Sequence, residues 1–122
     1  MSREAMAVRR IVTNIHAPNP EDARAFYEQV LGLEVAMDHG WIMTFAAEET
    51  SMVQLNVASD GGSGAPVPDL SIEVDDIDDT YQRARDGGFE IVYDLTNEPW
   101  GVRRFFLRDP FGKLVNVLAH LG

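Results

Sequence analysis

The order in which structure-forming segments follow one another constrains this chain more than any single motif. The run Arg10-Ile-Val-Thr-Asn-Ile-His16 is rich in β-branched residues and reads as a strand, broken by Ala17-Pro-Asn-Pro20. Pro20 suits the first turn of a helix, with Asn19 as N-cap and Glu21 and Asp22 at the positive end of its dipole. Ala23, Phe26, Tyr27, Val30 and Leu31 recur at helical spacing, which predicts one apolar face, and Gly32 stops the helix. Strand-forming stretches follow at 33–37, 41–46 and 52–57, with turns at Asp38-His39-Gly40 and Glu48-Glu49-Thr50-Ser51. The order is βαβββ.

Residues 58–68 (ASDGGSGAPVP) have no periodicity and read as a linker. The order then recurs. Leu70-Ser-Ile-Glu-Val74 alternates like a half-buried strand, and Asp75-Asp76 offers a helix cap. Ile77, Tyr81, Ala84 and Gly88 share one helical face, and Gly87-Gly88 ends the helix. Strands are predicted at 90–93, 102–107 and 114–119, the last two joined by the turn Asp109-Pro-Phe-Gly112. The halves share little identity, so the repeat rests on element order. A four-stranded unit with one helix leaves its second sheet face bare. Two such units bury those faces together or form a cleft between them, and modules of this kind can be exchanged in a two-fold homodimer. The expectation is one α+β domain: module one about 8–57, linker 58–68, module two about 69–120.

Composition narrows the function classes. A chain of 122 residues suits one domain, and 45% hydrophobic with 25% charged residues is a globular balance. The absence of cysteine excludes disulfides, thiolate-bound zinc and thiol catalysis. Twenty acidic against 10 basic residues give a net charge of −10, which repels a nucleic-acid backbone. No run approaches the roughly 20 apolar residues of a membrane helix and no signal-peptide pattern opens the chain, so neither membrane nor nucleic acid is an expected partner and a cytoplasmic location is. The acidic surplus either keeps the protein soluble or, if focused in a cleft, attracts cationic ligands.

Three motifs carry a family resemblance. They are Ala25-Phe-Tyr-Glu-Gln-Val-Leu-Gly-Leu-Glu-Val35, Leu70-Ser-Ile-Glu-Val-Asp-Asp76 and Asp109-Pro-Phe-Gly-Lys-Leu-Val-Asn-Val117. In this order they resemble the vicinal-oxygen-chelate superfamily of glyoxalases, bleomycin-resistance proteins and extradiol dioxygenases. The resemblance implies paired βαβββ modules curling into a U-shaped, barrel-like mixed sheet around a cleft. In metal-dependent members a divalent ion held by His, Glu or Gln polarises vicinal oxygens of the substrate. Carried over by motif, the ligand places fall at Val12, Gln54, Asp69 and Asn116. Valine has no donor atom, neutral amides bind weakly, and one carboxylate does not hold a divalent ion tightly. The expectation is therefore no metal.

Strand alternation supplies a candidate cleft lining. If Val12 faces the cleft, so do Asn14 and His16; if Asp69 does, so do Ser71 and Glu73. Ile11, Ile15, Leu70, Ile72 and Val74 are then expected to pack on the helices. His16 and Glu73 hold matching places and are weak catalytic candidates, as a pair across the cleft or as base and partner. His39 and His120 read as surface residues. Trp41 and Trp100 precede comparable strands and can flank a planar or cationic ligand, and Glu98-Pro-Trp-Gly101 resembles a loop that borders the family's pocket. Arg103 and Arg104 alternate, so one of them can enter the cleft to meet an anion, with Arg104 in phase with Trp100.

Three functions follow. The first is a metal-free protein binding a small, partly aromatic or cationic molecule, as bleomycin-resistance-type members do in antibiotic resistance. Its lining would be Asn14, His16, Trp41, Gln54, Asp69, Ser71, Glu73, Trp100, Arg104 and Asn116. The second is a lyase, isomerase or dioxygenase holding Fe, Mn, Ni or Zn on displaced ligands such as His16, Asp69 and Glu73, with a metal-free acid–base enzyme as a variant. The third is a dimeric interaction module.

Overall fold

The computed structural model describes residues 7–47 and 50–122. The expected turn at Glu48-Glu49 lies outside the described residues, and Thr50 already belongs to the next strand. The chain separates into two compact units, and the division falls inside the first strand. One unit holds the described residues up to Ile11 together with Pro68–Gly122; the other is Val12–Val67.

In the unit Val12–Val67, β1 (Val8–His16) contributes its second half, followed by β2 (Glu34–Asp38), β3 (Ile42–Ala47) and β4 (Thr50–Ala58). The strand order is β2-β3-β4-β1, antiparallel except for the parallel β1–β4 pair. Alternation sends Met43, Phe45 and Val57 to one face, where Ala17, Ala23, Tyr27, Leu33, Val35 and Leu55 close a core over them. The predicted helix is present but is not a regular α-helix. Pro20–Ala23 is a 3-10 turn and Arg24–Glu28 a π turn, and Asn19 makes no side-chain cap. Backbone bonds from Gln29 N to Arg24 O and from Leu31 N to Phe26 O span five residues and widen the coil. That widening rotates the second half of the apolar stripe off the core. Ala23 and Tyr27 pack, whereas Phe26, Val30 and Leu31 are more than half exposed. The one-faced helix expected from spacing is corrected to this extent.

The other unit carries β5 (Leu70–Val74), α1 (Ile77–Asp86), β6 (Ile91–Asn97), β7 (Val102–Arg108) and β8 (Leu114–His120). Its order is β5-β8-β7-β6, with β5 and β8 parallel, so it repeats the topology of the first. The Asp76 carboxylate caps α1 by accepting from Asp79 N at 3.0 Å. Ile77, Tyr81 and Ala84 pack from α1 onto Val74, Phe105, Val115, Val117 and Ala119. Gly88 lies beyond the helix, in a left-handed conformation (φ 78°) that glycine adopts without strain. Paired modules of strands with one helical segment each make this an α+β fold.

Two further expectations are corrected. Ile72 and Val74 pack beneath α1, but Ile11 and Ile15 stay exposed, at 59% and 36%. The short first helix covers β2–β4 and leaves that face of β1 open. The segment 58–68 is no loose linker either. Gly61 N donates to Ala65 O (2.8 Å), Ala65 N to Gly62 O (3.0 Å), and Asp60 Oδ2 accepts from both Gly62 N and Gly64 N. Gly61, Gly62, Ala65 and Pro68 are buried.

Candidate functional site

In each unit the face turned away from the hydrophobic core carries a polar row. In the unit Val12–Val67 the row crosses three strands. Asn14 pairs with Asn56, and Asn56 with Thr44. Thr44 Oγ1 donates to Asn56 Oδ1 at 2.6 Å, and Asn56 Nδ2 donates to Asn14 Oδ1 at 2.8 Å. Gln54 shares this face, in register with Ala46, and Val12 is buried along the same row of β1. Thr44 and Asn56 were not singled out from sequence, yet Asn56 lies two residues beyond Gln54, so strand alternation alone would have found it.

The second unit repeats the arrangement. Ser71 pairs with Asn116 and Asn116 with Phe106. Asn116 Nδ2 donates to Ser71 Oγ at 3.0 Å, while Asn116 Oδ1 is buried and, among the described residues, has no hydrogen-bond partner. Asn56 and Asn116 thus hold the same place in the two modules. An unpaired buried carbonyl costs roughly 1–3 kcal/mol, so this oxygen is a place where a ligand's donor would be repaid.

Glu73, two residues along β5, accepts from Arg10 Nη2 at 2.8 Å and meets His120 Nδ1 at 2.9 Å. The expected partner was His16; the histidine that the Glu73 carboxylate meets is His120, and His16 is exposed at the end of β1. The reason is topological. His120 lies on β8, the parallel neighbour of β5, in phase with Asn116 and Leu118 on the same face. Burial alone would raise the Glu73 carboxyl, but the His120 hydrogen bond and the Arg10 charge outweigh it and hold it below its ordinary value of 4.5.

Arg104 and Arg103 part as alternation requires. Arg103 turns to α1 and bonds Asp78 (2.9 Å) and Asn97 (2.9 Å). Arg104 is 4% exposed. Its Nε donates to Glu98 Oε2 at 2.7 Å, and Tyr93 Oη donates to the same oxygen at 2.7 Å. The rings of Tyr93, Trp100 and Phe106 surround the guanidinium at 5.0, 5.0 and 4.8 Å. Glu98 and Trp100 reach it from the turn 98–101, which Gly101 N closes onto Glu98 O. Trp100 keeps 37% exposure. Trp41 sits half-buried just before β3, its carbonyl accepting from Ser59 N. His39 lies exposed in the β2–β3 turn.

The four family ligand places offer a poor donor set. Val12 has no donor, Gln54 and Asn116 are neutral amides, and Asp69 Oδ2 accepts from Leu114 N at 2.9 Å. Among the described residues no three His, Asp or Glu side chains gather to hold an ion. These residues are weak donors for a divalent ion.

Comparison with known proteins places the fold. A 90% stretch of the chain superposes on a structure described as an NAD-dependent benzaldehyde dehydrogenase from Legionella pneumophila, covering 98% of it, with a TM-score of 0.72 and 16% identity. A glyoxalase/bleomycin resistance protein/dioxygenase superfamily member from Vibrio splendidus 12B01 matches 93% of the chain and 99% of its own, with a TM-score of 0.64 and 20% identity. Methylmalonyl-CoA epimerase from Mycobacterium tuberculosis matches 94% and 88%, with a TM-score of 0.63 and 19% identity. Identities this low speak for the fold alone. No curated protein sequence matches. The family model for these folds matches residues 10–117, nearly the whole repeat, and the chain belongs to the glyoxalase/bleomycin resistance protein/dioxygenase superfamily.

Proposed function

We propose that the protein binds a small, partly aromatic or cationic molecule on the polar faces of its modules, without a catalytic metal. The observation that carries this reading is the donor set at the family's ligand places. Gln54 and Asn116 there, with Asn14 and Ser71 on the same polar rows, can give and accept hydrogen bonds, but the single carboxylate of the set, Asp69, does not neutralise a divalent ion. The buried, unpaired Asn116 Oδ1 adds a specific demand for a ligand donor. Trp100 and Trp41 supply aromatic surface, and the net charge of −10 favours cations over dianions. Binding alone is enough for sequestration, so no reacting group has to be assigned.

Thermal shift of chelator-treated protein tests this. A ligand that binds only the native state raises the melting temperature by mass action. The reading expects aromatic or cationic compounds to do so equally before and after chelation, and Asn116→Leu to abolish the shift. Stoichiometric metal in protein purified without chelator, or a shift that requires added metal, would replace it with the metal-dependent lyase, isomerase or dioxygenase reading. The same proposal takes the chain as a homodimer, supported by the exposed Ile11, Phe26, Val30 and Leu31. Light scattering that gives a monomer at micromolar concentration would remove that part.

A further inference from the structure

The trio Arg10–Glu73–His120 is not explained by folding alone. Its members come from β1, β5 and β8, and the carboxylate between the two bases is the most buried of them: Glu73 is 16% exposed against 36% for Arg10 and 55% for His120. An ionised carboxylate accepts hydrogen bonds and donates none. His120 Nδ1 must therefore carry the hydrogen it shares with Glu73, which leaves the lone pair of the neutral ring on Nε2, at the exposed edge. Arg10 reaches Glu73 through Nη2 alone; among the described residues its Nε and Nη1 are not committed. The trio thus presents one proton acceptor and one set of cationic donors, both held by a single carboxylate, on the sheet face that carries Ser71 and Asn116.

The charges decide what such a place accepts. Arg10 and Glu73 cancel, so with neutral His120 the trio sums to zero, and with protonated His120 it carries one positive charge. Of the other charged groups, Asp75, two residues beyond Glu73, accepts from Ala7 N through its carboxylate at 2.7 Å. On β7 the residue in register with His120 is Val102; Arg104, the nearest charged residue of that strand on the same face, is neutralised by Glu98, and Arg103 is turned to Asp78. A neutral ligand that brings its own proton adds no net charge to this place and can create both charges at once.

We infer that Arg10, Glu73 and His120 form a binding site for a weak oxygen acid, of which a phenol is the simplest aromatic case. This rests on the reading that the polar face takes a small molecule, and it names the ligand's class. The ligand's O–H bond breaks, its electron pair stays on oxygen, and the proton passes to His120 Nε2. The imidazolium formed is stabilised through Nδ1–H by Glu73, and the phenolate lies beside the imidazolium and Arg10. No other reactant is needed, and release reverses the transfer.

4-Nitrophenol is the probe, because its neutral and ionised forms absorb differently. With chelator-treated full-length protein, at a pH where the free dye is mostly neutral, the bound dye is expected to absorb as the phenolate. 4-Nitroanisole, which has no proton to give, should not compete with it. His120→Gln and Arg10→Gln should each weaken binding roughly tenfold, the scale of one charge-assisted hydrogen bond. Dye bound as the neutral phenol, no binding of dye at all, or unchanged affinity in a His120→Gln protein of normal circular dichroism each overturns the inference. Should that variant fail to fold, nitrogen-15 NMR of the unmodified protein still decides: the His120 hydrogen is expected on Nδ1, and finding it on Nε2 refutes the arrangement. If the dye fails while other compounds raise the melting temperature without metal, only this inference falls. If nothing binds without metal, the metal-free reading falls with it.

Discussion

At the scale of single residues, two ion pairs on one sheet differ in what they do. Arg104–Glu98 is enclosed, and the guanidinium has traded water for a carboxylate and three rings, one of them Tyr93, whose hydroxyl also bonds that carboxylate. Removing one partner of a buried pair strands a charge, so Glu98→Gln is expected to cost about 3 kcal/mol in urea unfolding, whereas the double change Glu98→Leu with Arg104→Met should lose much less. Equal losses in the two proteins would mean that the rings, not the charges, set the stability. Glu73 is instead 16% exposed and titratable. Its native carboxyl sits below the ordinary 4.5, so above that value both folded and unfolded forms are ionised and the full benefit of His120 and Arg10 is present. As pH falls through 4.5 and on through the lower native value, the unfolded chain takes up the proton first and the benefit disappears. The stability gap between wild type and Glu73→Gln should therefore close as pH falls through 4.5 and below. A gap that stays open at the acid end contradicts the assignment.

At the scale of elements, the first helical segment shows how little a correct apolar spacing guarantees. Its residues recur as in an amphipathic helix, but the five-residue backbone bonds shift the phase after Arg24. Tyr27 remains on the core, its ring 5.7 Å from that of Phe45, while Phe26 and Val30 point outward. Tyr27→Ala should therefore destabilise by about 2–3 kcal/mol, and Phe26→Ser or Val30→Ser by less than about 0.5 kcal/mol, measured by chemical denaturation. A large loss at Val30 would show the regular helix that the spacing alone suggests. α1 behaves as its sequence reads, because Asp76 caps it and Ile77, Tyr81 and Ala84 have a complete sheet beneath them. The segment 58–68 was legible as turn-forming but not as compact. A methyl group added at Gly61 would lie 2.0 Å from the carbonyl oxygen of Pro66, a constraint that no local pattern announces.

At the scale of the whole molecule, acidic residues outnumber basic ones two to one, 20 against 10, and several of the basic ones are already committed to ion pairs. Self-repulsion then opposes folding over distances that salt can screen. Raising ionic strength from about 10 mM to about 150 mM shortens the Debye length from roughly 30 Å to 8 Å, and the melting temperature is expected to rise by a few degrees in calorimetry. A fall would mean that the surface pairs such as Arg24–Glu28 outweigh the net repulsion. The sequence by itself determined the repeat of βαβββ units, the strands to within a few residues, the cap of α1 and the family, because each is written in local periodicity and turn chemistry. It also supplied the expectation that the family's ligand places hold weak donors, which rests on residue identity and motif position. Only the tertiary structure decided which polar groups meet. Glu73 takes Arg10 and His120, Asn116 is left with an unpaired oxygen, and Arg104 is consumed by Glu98 and three rings. The partners of Glu73 and Asn116 lie on different strands, far apart in the chain, and those of Arg104 on β6, β7 and the turn between them; it is the strand order and register that bring them together, and alternation names the face of each residue but not its neighbour across the sheet.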